Sequence, residues 1–454
     1  MSATKELTVG NPLPLIIKFA LPLLLGNMLQ QTYSMVDAAI VGRTLGINAL
    51  AAVGASTSVV FLILGFCNGC CGGFAIPIAQ KFGARDYSVM RSYIHNAFKL
   101  AWIMSLLLAV ITSLLCGFIL HTMRTPDIIY DGAYAYLLAT FIGIPATFFY
   151  NLLSCVIRAL GDSKTPFWFL LLASVLNIGL DLLFILTFQW GVTGAAVATV
   201  LSQAVSAILC YMYMQRKYDI LQSTPAERCL NARAIRTLLG VGVPMGLQFS
   251  ITAIGSIMLQ SSNNALGTTC VAAFTAAMRI KMFFLTPLES LGIAMATYAG
   301  QNYGAGLPVR VWQGVKSATI IMMVYAILMN LLLWTQAEQF ALLFVDAHEV
   351  DILQETALFI HVSVSFYPML GMLCILRYTI QGVGYTSLAM LSGVSEMFAR
   401  IAVSVIAVPL WGYTAVCFGD SMAWVCAVLF LAPAFHYVYR RMTRLSPTSS
   451  AQTL

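Results

Sequence analysis

The stretch PLLLGNMLQQTYSMVDAAIVG, Pro22–Gly42, decides what kind of chain this is: it carries one carboxylate, Asp37, and no lysine or arginine. A run of about 20 apolar residues crosses a bilayer as a helix. A carboxylate near its middle costs at least ~2.5–3.5 kcal/mol on insertion scales, so a chain that keeps one generally uses it. A second acid, Asp181, ends LNIGLD (Leu176–Asp181) in an equally apolar setting. Of the 454 residues, 60% are hydrophobic and 9% charged, with a mean hydropathy of +0.86, against about 25% charge in a soluble domain. An all-α polytopic membrane protein is expected, with no cleaved leader ahead of its first span. The net charge of +7 is not a nucleic-acid footprint, because the basic residues fall in short loops between spans.

Outward from Pro22–Gly42, hydropathy gives twelve spanning runs. They lie near 13–40, 51–80, 93–120, 133–158, 166–188 and 192–214, then 238–262, 268–300, 314–336, 355–380, 387–409 and 413–438. The second and eighth are long enough to include a turn outside the membrane or a bend. Basic residues gather on one side of this pattern. With the N-terminus inside, the inner regions hold Lys5, Lys18, Lys81, Arg85, Arg91, Lys99, Arg158, Lys164, Arg216, Lys217, Arg228, Arg233, Arg236, Arg310, Lys316, Arg377, Arg440, Arg441 and Arg444, and the outer ones Arg43 and Arg124. Both termini are therefore expected in the cytoplasm, in a multi-pass protein of the cell membrane. The connection 215–237 separates an N-terminal six-helix bundle (1–214) from a C-terminal one (238–440), which a tail (441–454) follows. The eleven cysteines imply no disulfide framework, and Cys67-x-x-Cys70 reads as small-residue packing in a glycine-rich helix rather than a redox or metal pair.

The halves repeat one another. LGINALAAVGAS (Leu45–Ser56) returns as LGTTCVAAFTAA (Leu266–Ala277), AQKFGARD (Ala79–Asp86) as GQNYGAGL (Gly300–Leu307), and RALGDSKTP (Arg158–Pro166) as QGVGYTSL (Gln381–Leu388). Pro22 and Pro244 both fall early in the first span of their half. An even number of spans per half gives the two copies one orientation, related by an axis along the membrane normal. Two pseudo-symmetric bundles of six helices around a central cavity are expected, an architecture of transporters.

RALGDSKTP, LNIGLD, GQNYGAG (Gly300–Gly306) and Pro22–Gly42, in this order, make the chain similar to the multidrug and toxic compound extrusion (MATE) family over nearly its whole length. The resemblance implies efflux of organic cations and other amphiphiles in exchange for Na⁺ or H⁺, with no cofactor and no catalytic residues. The chain resembles the DinF-like branch in keeping acids in the N-terminal half. The stretches Ser250–Ser262 and Ala357–Cys374, where NorM-like members place theirs, contain none.

Asn177 and Asp181 are four apart and share a helix face, and a carboxylate with an amide oxygen one turn away begins an oxygen site for a hard cation such as Na⁺. The resemblance adds Thr199, and Asp37 is the expected fourth member. Gln30, Tyr33 and Ser34 form a polar stripe beside Asp37. A buried hydrogen-bonded knot is the structural alternative for this group. The resemblance makes Pro22 a gating hinge, while a proline near a helix start is also simply tolerated. Glu396 and Arg400, again four apart, read as a structural ion pair at the place that answers to Asn177. Ser404 answers to Asp181, and Met258 to Asp37.

Arg279, Lys281 and Glu289 form a second charged group within a span, whose partners must come from other helices. Asp420 is placed near the outer surface. With Met35, Met258 and Met282, adaptable methionines, the residues Gln30, Tyr33, Ser34, Arg279 and Glu289 are the candidates for a substrate cavity. Gly161–Lys164 lacks a phosphate-loop pattern, so energy must come from an ion gradient. The expected protein is a monomeric secondary antiporter exporting small cationic or amphiphilic molecules by alternating access. A lipid-linked oligosaccharide flippase of the same superfamily is the competing reading.

Overall fold

A computed structural model describes residues 6–123 and 125–445, without the side chains of Ile47 and Leu445. Lys5, Arg124 and residues 446–454 of the expected tail lie outside the described residues. Among the described residues there is no strand. Helices α1 (Pro12–Leu45), α2 (Ile47–Gly83), α3 (Tyr87–Thr122), α4 (Asp127–Ile142), α5 (Ile144–Ala159), α6 (Lys164–Leu182) and α7 (Gly191–Lys217) form the first half. The second half has α8 (Ala232–Asn264), α9 (Thr268–Gly304), α10 (Pro308–Ala341), α11 (Val350–Ser365), α12 (Tyr367–Val383), α13 (Thr386–Ala402), α14 (Val408–Trp411) and α15 (Tyr413–Leu445). Among the described residues, ten helices are long and apolar enough to cross a membrane, and the pairs α4/α5 and α11/α12, bent by 48° and 49°, bring the number to twelve when each pair is one span.

The bends correct one expectation. The long second and eighth runs fold as the unbroken helices α2 and α9, despite Pro77 and Pro287 inside them. The fourth and tenth spans are the broken ones, and each break precedes a proline, Pro145 or Pro368, in the first turn of the new helix. Proline lacks an N–H and its ring clashes with the carbonyl four residues back, so the helix restarts there. The repeat extends to fine detail. A π-turn follows α6 at Leu183–Thr187 and α13 at Val403–Ala407, and glycines with positive φ recur as Gly46/Gly267, Gly161/Gly384 and Gly191/Gly412.

The chain folds as two compact units. One holds Leu25–Gly246 with Glu6, and the other holds Leu7–Leu24 with the chain from Leu247 onward. The first helix of each half therefore changes unit two residues after its proline, Pro22 in α1 and Pro244 in α8. In the first unit Gly69 and Gly73 of α2 lie against α8. A Cβ on Gly69 would sit 2.6 Å from the Met245 carbonyl oxygen, and one on Gly73 2.5 Å from Gly242 Cα. Small residues let helix backbones approach where lipid supplies no hydrophobic drive. The neighbouring Cys67, Cys70 and Cys71 are free and fully buried, consistent with a packing role.

The quoted motifs build turns. Asp162 of RALGDSKTP accepts from the backbone N–H groups of Lys164 (2.9 Å) and Thr165 (3.1 Å) and from the Tyr218 hydroxyl (2.7 Å), capping α6. In the second unit GQNYGAG holds the N-terminal leader: the Gln301 side-chain oxygen accepts from the Leu7 N–H at 2.9 Å, and Asn302 donates to the Leu7 carbonyl at 3.2 Å.

Candidate ion-coupling site

In the first unit, α6 and α7 bring Asn177, Asp181 and Thr199 together. Asp181 is fully buried and Asn177 is 2% exposed. With its nitrogen toward the carboxylate, the Asn177 amide donates to Asp181 Oδ2 at 3.3 Å, and its oxygen lies 3.2 Å from the Thr199 hydroxyl and 3.3 Å from the Thr199 N–H. Turned the other way, the amide donates to Thr199 Oγ1 at 3.2 Å, Thr199 donates to the Ala195 carbonyl at 3.1 Å, and the amide oxygen faces Asp181. One orientation suits a bare carboxylate; the other gathers oxygens as a proton or cation would require.

Asp37 arrives from α1, half-buried, with its carboxyl within hydrogen-bonding reach of Asp181. Each acid has one buried oxygen, Asp37 Oδ1 and Asp181 Oδ1, without a partner. Two like charges 4 Å apart repel by about 4 kcal/mol at an effective dielectric of 20. A proton shared between the acids or a cation beside them removes that repulsion. The orphaned oxygens thus fit a small cation or a proton. Tyr33, one turn before Asp37, and Tyr136 of α4 lie within electrostatic range of both acids. Tyr136 carries no sequence signal that separates it from other tyrosines. Gln203, one turn beyond Thr199, accepts from Thr147 at 2.5 Å.

The second unit answers this acid pair with a chain of salt bridges. Glu396 of α13 receives Arg377 of α12 and, at 3.5 Å, Arg400. Arg400 Nε donates to Asp420 of α15 at 2.8 Å, and Lys281 of α9 closes the chain on Asp420. All five side chains are buried. Two expectations are corrected. Asp420 lies inside the unit because two cations hold it there, and Arg377 is one member of this chain rather than a loop cation. The Glu396–Arg400 contact exists, as one link among several and not its shortest. Arg279 and Glu289 stay exposed, and among the described residues neither forms an ion pair.

The family model described as MatE matches the chain twice, over residues 22–183 and again over 244–406. The chain belongs to the MatE family. Its double match is the internal repeat, beginning each time at the proline of the half's first helix. The "Probable multidrug resistance protein YpnP" of Bacillus subtilis is 30% identical over 84% of each chain. The "DNA damage-inducible protein F" of Escherichia coli is 22% identical over 91% of this chain and 88% of its own. A solved structure of MATE in the bent conformation shares the fold, with TM-score 0.89 and 23% identity over 97% of this chain and 98% of that one. MATE proteins are multidrug efflux transporters of the membrane, not enzymes, and need no cofactor.

In this MATE protein, the expected cavity residues keep open faces within their own units. On α1, Gln30, Ser34 and Met35 are exposed and Tyr33 is half-buried. On α8 and α9, Met258, Arg279, Met282 and Glu289 are exposed. Met282 and Glu289, seven apart, share one face of α9. Pro22 sits inside α1, which runs from Pro12 to Leu45 as one helix.

Proposed function

We propose that this MATE protein is a secondary antiporter that exports cationic and amphiphilic small molecules in exchange for H⁺ or Na⁺. The observation that carries this reading is the contact between Asp37 and Asp181, two carboxyls in apolar helices, each with an orphaned buried oxygen. Asn177 and Thr199 supply further oxygens, so the group holds a proton or a Na⁺ ion with the same atoms. Binding of the cation neutralises the acids; its release restores a charge that favours a cationic substrate. A ligand shifts a conformational equilibrium only by its differential affinity for the two states, and this change of charge provides that difference for alternating access. Pro22, two residues before α1 changes unit, is the place for the helix to bend as the acids change charge. That both proposed coupling acids, Asp37 and Asp181, lie in the N-terminal half supports a DinF-like assignment, and the distribution of Lys and Arg supports cytoplasmic termini.

Substrate efflux from proteoliposomes under a Na⁺ gradient alone, and then a pH gradient alone, tests the proposal. Efflux driven by one of the two supports it. Efflux that follows only the substrate's own gradient overturns it.

A further inference from the structure

The last turns of α15 leave a basic pocket that the transport mechanism does not use. Val438 and Met442 are buried with Ala299, Val311 and Val383, and this anchoring turns His436, Tyr437, Arg440, Arg441 and Arg444 outward, where all are exposed. Together with Pro433 they line a cavity of about 460 Å³. His436, Arg440 and Arg444 repeat every four residues and share a helix face. Arg441 is engaged by the Tyr437 hydroxyl at 3.4 Å and the Tyr385 ring at 5.6 Å. Arg440 and Arg444 have no carboxylate within ion-pair distance among the described residues, and Ser446–Leu454 contains no acid. Like charges four apart on a helix repel, so the pair lacks a counter-anion.

A second observation concerns the surroundings of the pocket. Trp312, Phe435 and Tyr439 stack on one another with ring centroids 5.5–6.3 Å apart, and Lys316 lies 5.6 Å over Trp312. Trp312, the exposed member of the stack, is a residue type enriched at the level of lipid headgroups. Phe435 and Tyr439 directly precede His436 and Arg440, so Arg440 stands at the level of the stack and Arg444 about one turn beyond it. Arginine matches phosphate oxygens with paired N–H donors.

We infer that this pocket binds the phosphodiester headgroup of an anionic phospholipid, with Arg440 and Arg444 on the phosphate oxygens. Pro433 and Tyr437 give the glycerol region an apolar wall. The proposed membrane orientation assigns the site to the cytoplasmic leaflet, and the ligand itself does not depend on that assignment. Free phosphate offers the same oxygens without the glycerol and acyl chains.

The test is titration of the detergent-solubilised full chain with phosphatidylglycerol and with phosphatidylcholine of the same acyl chains, read by native mass spectrometry, with and without inorganic phosphate. Each arginine near an anionic headgroup is worth about fivefold in affinity. The wild-type chain should therefore prefer phosphatidylglycerol roughly 25-fold, and Arg440→Gln with Arg444→Gln should abolish the preference. Arg216→Gln with Lys217→Gln, at the matching end of α7, should leave it intact. Equal binding of the two lipids by the wild-type chain overturns the inference without need of a variant. So does an equal loss in the α7 control, or binding of inorganic phosphate that displaces phosphatidylglycerol. Transport takes no part in the readout, so failure here is distinct from failure of the antiport reading.

Discussion

Replacing Glu396 with glutamine keeps the side chain's shape and removes the carboxylate that Arg377 and Arg400 share. Arg400 keeps Asp420 at 2.8 Å, but Arg377 is left with the Ser392 hydroxyl at 3.1 Å while only 8% exposed. Stranding one charge of a buried pair costs about 3–5 kcal/mol. Each kcal/mol moves the unfolding midpoint of a body of this size by roughly 2–4 °C, so Glu396→Gln should lower the midpoint in detergent by about 6–20 °C. Adding Arg377→Met removes the stranded charge and should recover most of the loss, since well-packed apolar replacements of buried ion pairs are often neutral or better. Ion dependence of transport per folded molecule should be unchanged. A midpoint within about 2 °C of wild type, or no recovery in the double variant, would show that the salt-bridge chain does not hold this unit together.

Three further outcomes follow from the geometry. Glu227, in the connection outside the spans, accepts from Arg91 at 2.9 and 2.7 Å, and those bonds hold its carboxyl down to about 2 from an ordinary 4.5. The folded state therefore binds this proton more weakly than the unfolded state, so the contact stabilises fully above the ordinary value and is lost as pH falls toward about 2; hydrogen exchange of residues 219–231, corrected for intrinsic rate, should rise over that window, and Glu227→Gln should be open throughout. Gly73→Ala drives a methyl to 2.5 Å from backbone and should cost about 1–3 kcal/mol, while Gly72→Ala, which meets only the flexible end of Met245 at 3.4 Å, should be tolerated; unfolding midpoints decide between them. Tyr136→Phe removes a hydroxyl within electrostatic range of the two acids and should raise the half-saturating ion concentration for efflux, with unchanged expression; an unaltered ion dependence would remove Tyr136 from the site.

The sequence shows the spans because burying backbone in lipid requires about 20 predominantly apolar residues per helix, and Pro22–Gly42 is predominantly apolar over that length. Asn177 and Asp181 were legible because four-residue spacing fixes a shared face. Thr199 came only from the resemblance, since one threonine in an alanine-rich helix has no periodic mark. Tyr136 was invisible because its neighbours are set by packing between helices. Arg377 and Asp420 were misplaced for the same reason. Counting residues puts one near the turn at Gly384 and the other near the start of α15, and only the cross-helix partners Glu396, Arg400 and Lys281 draw them inside. The breaks at Pro145 and Pro368 did have a signal, a proline inside an apolar run, but Pro77 and Pro287 carry the same signal in unbroken helices.

Joint binding of the coupling cation by Asp37 and Asp181 is the core of the proposed antiport. Its most direct test is ion-driven efflux by Asp37→Asn and Asp181→Asn in proteoliposomes, with folding checked by the unfolding midpoint. Each variant should insert and fold, because the amide retains the shape and relieves the repulsion between acids, and each should lose efflux driven by the ion gradient. Full gradient-driven efflux by either variant contradicts the account.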